Sequence, residues 1–217
     1  MRRSTVRHYT PIDRVVSQFD TSLRTLFGHP KVTERPNPAQ QIAEAELSSS
    51  QKELAGRFMR INHAGEVAAQ GLYQGQALTA RLPRVRQQME RAAQEENDHL
   101  RWCEDRANQM GAHVSYLNPL WYLGSVTIGA LAGAVGDRWS LGFVVETEKQ
   151  VVAHLQSHLD KLPLEDKRTR AIVDQMQQDE ARHATMAKRA GGAPLPLPIK
   201  KLMGVTASLM TRTAYYV

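Results

Sequence analysis

Gln94-Glu-Glu-Asn-Asp-His-Leu100 carries one E-x-x-H, Glu96 to His99, and Asp179-Glu-Ala-Arg-His183 carries a second, Glu180 to His183. Residues three apart share a helical face, so each pair can aim at one site. A single E-x-x-H is weak evidence, because a solvated face with a local hydrogen bond has the same spacing. Two copies gain meaning from what lies upstream. Glu66 precedes Glu96 by 30 residues, and Glu148 precedes Glu180 by 32. In an antiparallel helix hairpin, residues equidistant from the turn sit at one height. The first pair centres on residue 81, beside Pro83, and the second on residue 164, beside Pro163. Each hairpin therefore brings a lone glutamate level with an E-x-x-H, about 22 Å from its turn at ~1.5 Å rise per residue. Two such hairpins packed together make the ferritin-like site for two metal ions, with one Glu from each of two helices and one E-x-x-H from each of the others.

Working outward, the punctuation of the chain supports four long helices. Ser48-Ser-Ser-Gln-Lys-Glu reads as a helix start, with a capping box from Ser50 to Glu53. The first helix runs from there to about Leu78, and Leu82-Pro83 marks a turn. The second spans about Arg84 to Met110 and stops at Gly111. Asn118-Pro119 breaks the chain. A third spans about Trp139 to Lys161, and a fourth about Asp166 to Arg189, before Gly191-Gly192. Pro194, Pro196 and Pro198 form a connector to a short last helix, about Ile199 to Met210. No segment reads as a strand. The fold class expected is all-α: a ferritin-like four-helix bundle with additional membrane-facing helices. Residues 1–47 read as an N-terminal appendage and 48–217 as the helical domain, with membrane-contacting segments near 117–138 and 199–213.

Apolar stripes place the acids inward. Val85, Met89, Ala92, Glu96, His99, Cys103, Ala107 and Met110 keep a three-four spacing. So do Leu141, Val144, Val145, Glu148, Val151, Val152, Leu155 and Leu159, and Val173, Met176, Glu180, His183 and Ala187. The first helix, with Ile61, Asn62, Glu66, Ala69 and Tyr73, is less clean. Glu146 lies about 200° around its helix from Glu148 at ~100° per residue, so Glu148 is the ligand candidate. Glu95 is likewise off the stripe. Ionised carboxylates buried without partners are very costly. Two divalent ions remove that cost, since their four positive charges match four carboxylates. Hard oxygens with imidazole suit iron or manganese. The single cysteine, Cys103, excludes a disulfide framework and any Cys-rich zinc or iron–sulfur site.

The residues so placed resemble a known family. Asn62-His-Ala-Gly-Glu66, Gln94 to Leu100, Pro119-Leu-Trp121, Val144-Val-Glu-Thr-Glu148 and Asp179 to His183 are similar, in order, to the demethoxyubiquinol hydroxylases of ubiquinone biosynthesis. The likeness covers about residues 55 to 217, and H-A-G-E followed by E-x-x-H is its most specific part. It implies a di-iron monooxygenase on a membrane surface that hydroxylates the ring of a polyprenyl quinol with dioxygen. It implies two iron ions held by Glu66, Glu96, His99, Glu148, Glu180 and His183. The long first segment is more similar to bacterial than to mitochondrial members. The place implied is therefore the cytoplasmic side of the cell membrane, peripherally, with the matrix side of the mitochondrial inner membrane as alternative.

The remaining residues carry blander expectations. His63, one turn from Glu66, is either a neighbour of the ligands or a polar helix residue. His154 and His158 are expected to be solvated or hydrogen-bonded, not ligating. Cys103 is a small core residue. Tyr116, Tyr122, Trp102 and Trp121 pack or anchor at an interface. Pro119 to Gly136 has no charge but several glycines, and reads as an apolar surface dipping into one leaflet, with aromatic residues at the headgroups. The alternative is a buried connector helix. Leu202, Met203, Val205, Leu209 and Met210 beside Lys200, Lys201 and Arg212 form a second basic amphipathic contact. The net charge of +6 suits an anionic surface, and no nucleic-acid motif is present. Arg2, Arg3 and Arg7 resemble the opening of a transit peptide, but Asp13 and Asp20 soon interrupt it. No G-x-G-x-x-G follows a strand, so electrons are expected from a reductant or partner protein, from free NADH, or through the quinol itself. A homo-oligomer and membership of a biosynthetic complex stay open. Three rival functions share features: ferritin-like iron storage, a peroxidase or manganese catalase, and a non-enzymatic membrane scaffold.

Overall fold

The computed structural model describes residues 11–28 and 35–217. The basic opening Met1 to Thr10 and residues His29 to Glu34 lie outside the described residues. Seven helices make up the regular structure among the described residues: α1 Pro11–Phe27, α2 Ser49–Thr79, α3 Pro83–Gln109, α4 Asn118–Val135, α5 Asp137–Leu159, α6 Lys167–Arg189 and α7 Leu197–Ala214. No strand occurs there. Helices α2 and α3 form one hairpin and α5 and α6 another, consistent with a ferritin-like bundle. At the α2–α3 turn, Asp137 from the head of α5 accepts the backbone N–H groups of Arg81 and Leu82 at 3.0 and 2.8 Å. That carboxylate ties the first hairpin's turn to the start of the second.

The capping box sits two positions earlier than expected from Ser50 and Glu53. Ser48 is the N-cap: its hydroxyl accepts the Gln51 N–H, and the Gln51 side chain accepts the Ser48 N–H at 2.8 Å. Three consecutive serines offer the same hydroxyl, and the register falls where the preceding Leu47 is buried. The untidy stripe of α2 also has a cause. This helix touches α3, α4, α5 and α7 and is buried on nearly every side, so no solvent face remains to define a stripe.

Asn118-Pro119, expected as a break, is the first turn of α4, where Pro lacks only an N–H that has no helical partner anyway. Gly71 and Gly75 of α2 lie against the α4 backbone at Tyr122, Val126 and Ala130, while Gly129 and Gly133 of α4 lie against Leu72, Gln76 and Thr79 of α2. A Cβ added at Gly75 would lie 2.2 Å from the Val126 carbonyl oxygen, and one at Gly129 would lie 2.3 Å from that of Leu72. These glycines are the packing surface of α4. Its opposite side leaves Leu120, Leu123, Leu131 and Val135 exposed, as α7 leaves Leu202, Val205 and Leu209. Among the described residues, no helix is long and apolar enough to cross a membrane. Tyr122, expected at headgroups, is instead buried on the α2 side. It donates to the side-chain amide oxygen of Gln74 and shares a 2.7 Å hydrogen bond with Ser22 of α1. Trp102 is also buried, while Tyr116 is exposed.

The described part of the appendage packs on the bundle. Ala39 is fully buried. Glu44 accepts two hydrogen bonds from Arg106, at 2.6 and 2.9 Å, and one from Arg168 at 3.1 Å. Arg106 is itself buried and also binds Asp166 and Thr169, each at 2.7 Å. Single polar anchors of this kind have no periodicity, which is why the segment reads as detached in the sequence.

Candidate metal centre

Helix α2 supplies Glu66, α3 supplies Glu96 and His99, α5 supplies Glu148, and α6 supplies Glu180 and His183; all six are buried. Ligand-capable atoms of Glu66, Glu96, His99 and Glu180 lie within 4.8 Å of one another. His99 Nδ1 is 2.8 Å from Glu96, 3.1 Å from Glu180 and 3.7 Å from Glu66. His183 Nδ1 joins through Glu180 at 3.1 Å and Glu96 at 3.2 Å. Glu148 is adjacent but outside the tight group of four, and accepts a hydrogen bond from the Tyr73 hydroxyl. Glu146 points elsewhere: it pairs with Lys200 of α7 at 3.0 Å.

Both carboxylate oxygens of Glu96, Oε1 of Glu180 and Nδ1 of His99 are buried without an aligned hydrogen bond. They are close enough for charge attraction, yet their geometry does not satisfy hydrogen bonding. Buried polar atoms are nearly always satisfied, so four converging orphans fit a site built for a cation. Electrostatics agree. Burial pushes the Glu66 and Glu148 carboxyls well above the usual range, and the charges of Glu96 and Glu180 push them further. Burial opposes the charge of Glu96 too, but His99 and His183 hold it below the usual range. Burial disfavours the charged forms of both histidines, yet the surrounding carboxylates win and raise them. The donor set is oxygen and imidazole. Cys103 is buried against Met176, with Sγ to Sδ 3.6 Å. Such a set suits iron or manganese.

A second layer escaped the sequence reading. Glu95, off the stripe, meets His183 Nε2 at 2.7 Å, and Asp179 meets His99 Nε2 at 3.0 Å. The acid preceding each E-x-x-H thus bonds the histidine of the other. The doubled acids Glu95-Glu96 and Asp179-Glu180 were the available signal. Carboxylates of this kind fix the tautomer and ring orientation of a ligating imidazole.

Glu66, Glu148 and Glu180 also line a chamber of about 1070 Å³ between α2, α4, α5 and α7. The exposed Leu131, Ile199 and Leu202 line it as well. Besides Glu180, four lining residues own buried polar atoms without partners: Asn62 Oδ1, Thr147 Oγ1, Trp121 Nε1 and His154 Nε2. His63 is outside the cluster and meets Asn118 Nδ2 of α4 at 3.3 Å; burial lowers its pKa to about 4. His158 is buried and not solvated, and His154 is half-buried. His158 stacks on Phe58 at 4.0 Å and meets His154 edge-on at 4.2 Å, and burial lowers it to about 2.

A family model described as ubiquinone biosynthesis protein COQ7 matches residues 53–214. A 3-demethoxyubiquinol 3-hydroxylase of Nitrosococcus oceani is 59% identical over 211 residues, covering 97% of this chain and 99% of that protein. Proteins of the same name from Legionella pneumophila and Acinetobacter baumannii are 54% and 51% identical. They cover 95% and 97% of this chain and 97% and 100% of their own lengths.

Proposed function

Because this chain belongs to the family of the ubiquinone biosynthesis protein COQ7, we propose that it hydroxylates the ring of a demethoxyubiquinol, with dioxygen as second substrate. The observation that carries this reading is the apolar chamber lined both by Glu66, Glu148 and Glu180 and by exposed leucines of α4 and α7. Iron storage needs no such chamber, and an isoprenoid tail does.

Glu66, Glu96, His99, Glu148, Glu180 and His183 would hold two iron ions. Bound iron supplies dioxygen activation and the electron transfer that no side chain here can perform. The chain's own residues do the rest. Apolar walls from α2, α4, α5 and α7 exclude water from the ring. Asn62, Thr147 and Trp121 offer unpaired polar atoms to the ring oxygens, and a buried polar site rejects analogues that leave such atoms unpaired. Tyr73 donates to Glu148 and holds one of its oxygens, leaving the other for a metal. Glu95 and Asp179 keep the two imidazoles oriented.

Cells lacking the protein are expected to accumulate a quinone precursor missing one ring methoxy group, and the wild-type gene to restore ubiquinone. Purified protein given oxygen-18 gas should place one labelled oxygen on the new ring hydroxyl. Label from water would sink the monooxygenase reading, and normal ubiquinone in the deleted cells, with no second hydroxylase present, would sink the pathway.

The exposed apolar sides of α4 and α7 support peripheral contact with one leaflet of a membrane; the cytoplasmic side of a cell membrane is the place we propose for it. Lys201 and Arg212 add attraction to anionic lipid. The protein is therefore expected to co-sediment with anionic vesicles, with high salt weakening binding and leaving an apolar share. Leu120→Ser with Leu123→Ser, or Val205→Ser with Leu209→Ser, should cut the salt-resistant share about tenfold or more, at roughly 1.5–3 kcal/mol per fully buried side chain. No binding to any vesicle at any salt would remove the membrane reading.

A further inference from the structure

On the far side of the His99 ring from the cluster, two fully buried carboxylates share a cation that comes from outside the four helices. Arg35 Nε donates to Asp98 of α3 at 2.9 Å, and Arg35 Nη1 donates to Asp179 Oδ2 of α6 at 2.6 Å. That same Asp179 oxygen meets His99 Nε2 at 3.0 Å. The other Asp179 oxygen takes Gln175 at 3.1 Å and Arg182 at 2.8 Å. The guanidinium also lies 5.4 Å from the Trp102 ring, which lies 5.5 Å from that of His99. Arg35 thus bridges the two hairpins, which otherwise touch sparsely along α3 and α6.

We propose that Arg35 is a positioning residue of the metal centre: it fixes the Asp179 oxygen that orients His99, so that His99 offers Nδ1 to a metal. A neutral imidazole has one N–H. With that N–H donated through Nε2 to Asp179, the bare Nδ1 is the atom left facing Glu66, Glu96 and Glu180. The planar fork of an arginine can hold carboxylates on two different helices at fixed angles, while an ammonium is a point charge with no such geometry. The segment before the bundle therefore belongs to the centre. Its other anchor, Glu44 on Arg106, is a separate contact. The inference rests on the metal reading of the six residues.

The test is a cobalt(II) titration of the full-length protein, followed by the metal's visible absorption. The wild-type chain should take two ions. Arg35→Gln should weaken one of the two sites roughly 10–100-fold, the range for groups that orient a ligand, and change its absorption bands. Arg35→Lys should recover part of both. Glu44→Gln should leave affinity and bands at wild-type values even where it lowers the melting temperature. Arg35→Gln combined with Asp98→Asn, which relieves the uncompensated buried charge, should fold and keep the metal defect. Wild-type affinity and bands in that double variant, or in Arg35→Gln, would overturn the inference. An equal loss in Glu44→Gln would also overturn it, because the segment would then act only as a structural strap. A wild-type chain that binds no cobalt would sink the metal reading itself, and this inference with it.

Discussion

Glu148→Ala is expected to lose bound metal and to lower hydroxylation by more than roughly a hundredfold, above what neighbours of a ligand typically cost. Glu146→Ala, two residues away, should keep most of both. The two carboxylates share a helix and differ in what they face. Glu148 is buried next to Glu180 and Glu96, whose charges help to raise its pKa, and it accepts the Tyr73 hydroxyl. Glu146 pairs with Lys200 and accepts from Gln150 at 3.1 Å, so its loss loosens α7 against α5. Metal analysis of the purified variants, together with turnover, decides the matter. Equal loss in both, or loss only in Glu146→Ala, would undo the assignment.

Gly75→Ala should cost about 3 kcal/mol or more, the upper range for overpacking, and lower the melting temperature by roughly 6–12 °C. Its new Cβ would meet backbone, 2.2 Å from the Val126 oxygen and 2.7 Å from the Ala130 nitrogen. Backbone of a packed helix cannot swing aside as a side chain can, so α4 must move. Gly124→Ala makes the same chemical change in the same helix pair with the opposite expected sign. Nothing lies within 4 Å of that Cβ, and a helix-interior glycine gains about 0.5–1 kcal/mol on conversion to alanine. Because α4 is also a wall of the chamber, Gly75→Ala should reduce turnover as well. Thermal melts of the two variants read the stability changes and an activity assay the turnover, and a Gly75→Ala protein as stable as wild-type would refute the close packing of α2 on α4.

Helix period and hairpin symmetry are local properties, so they were legible. The spacings between Glu66 and Glu96 and between Glu148 and Glu180 depend only on rise per residue and the position of a turn. The stripes through Glu96–His99, Glu148 and Glu180–His183 depend only on 3.6 residues per turn. The fine register was not legible: three serines at the head of α2 offer equal caps, and burial of Leu47 chose among them. Nor was the fate of Tyr122, which composition places at a membrane and packing places against Gln74 and Ser22.

The sequence by itself determined four long helices, their pairing into hairpins, and the level at which each lone glutamate meets an E-x-x-H. Tertiary structure alone decided the crossed bonds of Glu95 to His183 and Asp179 to His99, the reach of Arg35 to Asp98 and Asp179, and the glycine contact of α2 with α4. The physical reason is range. Periodicity reports which side of its own helix a residue occupies, whereas these contacts depend on how far apart, and at what angle, two helices or a helix and a loop come to rest.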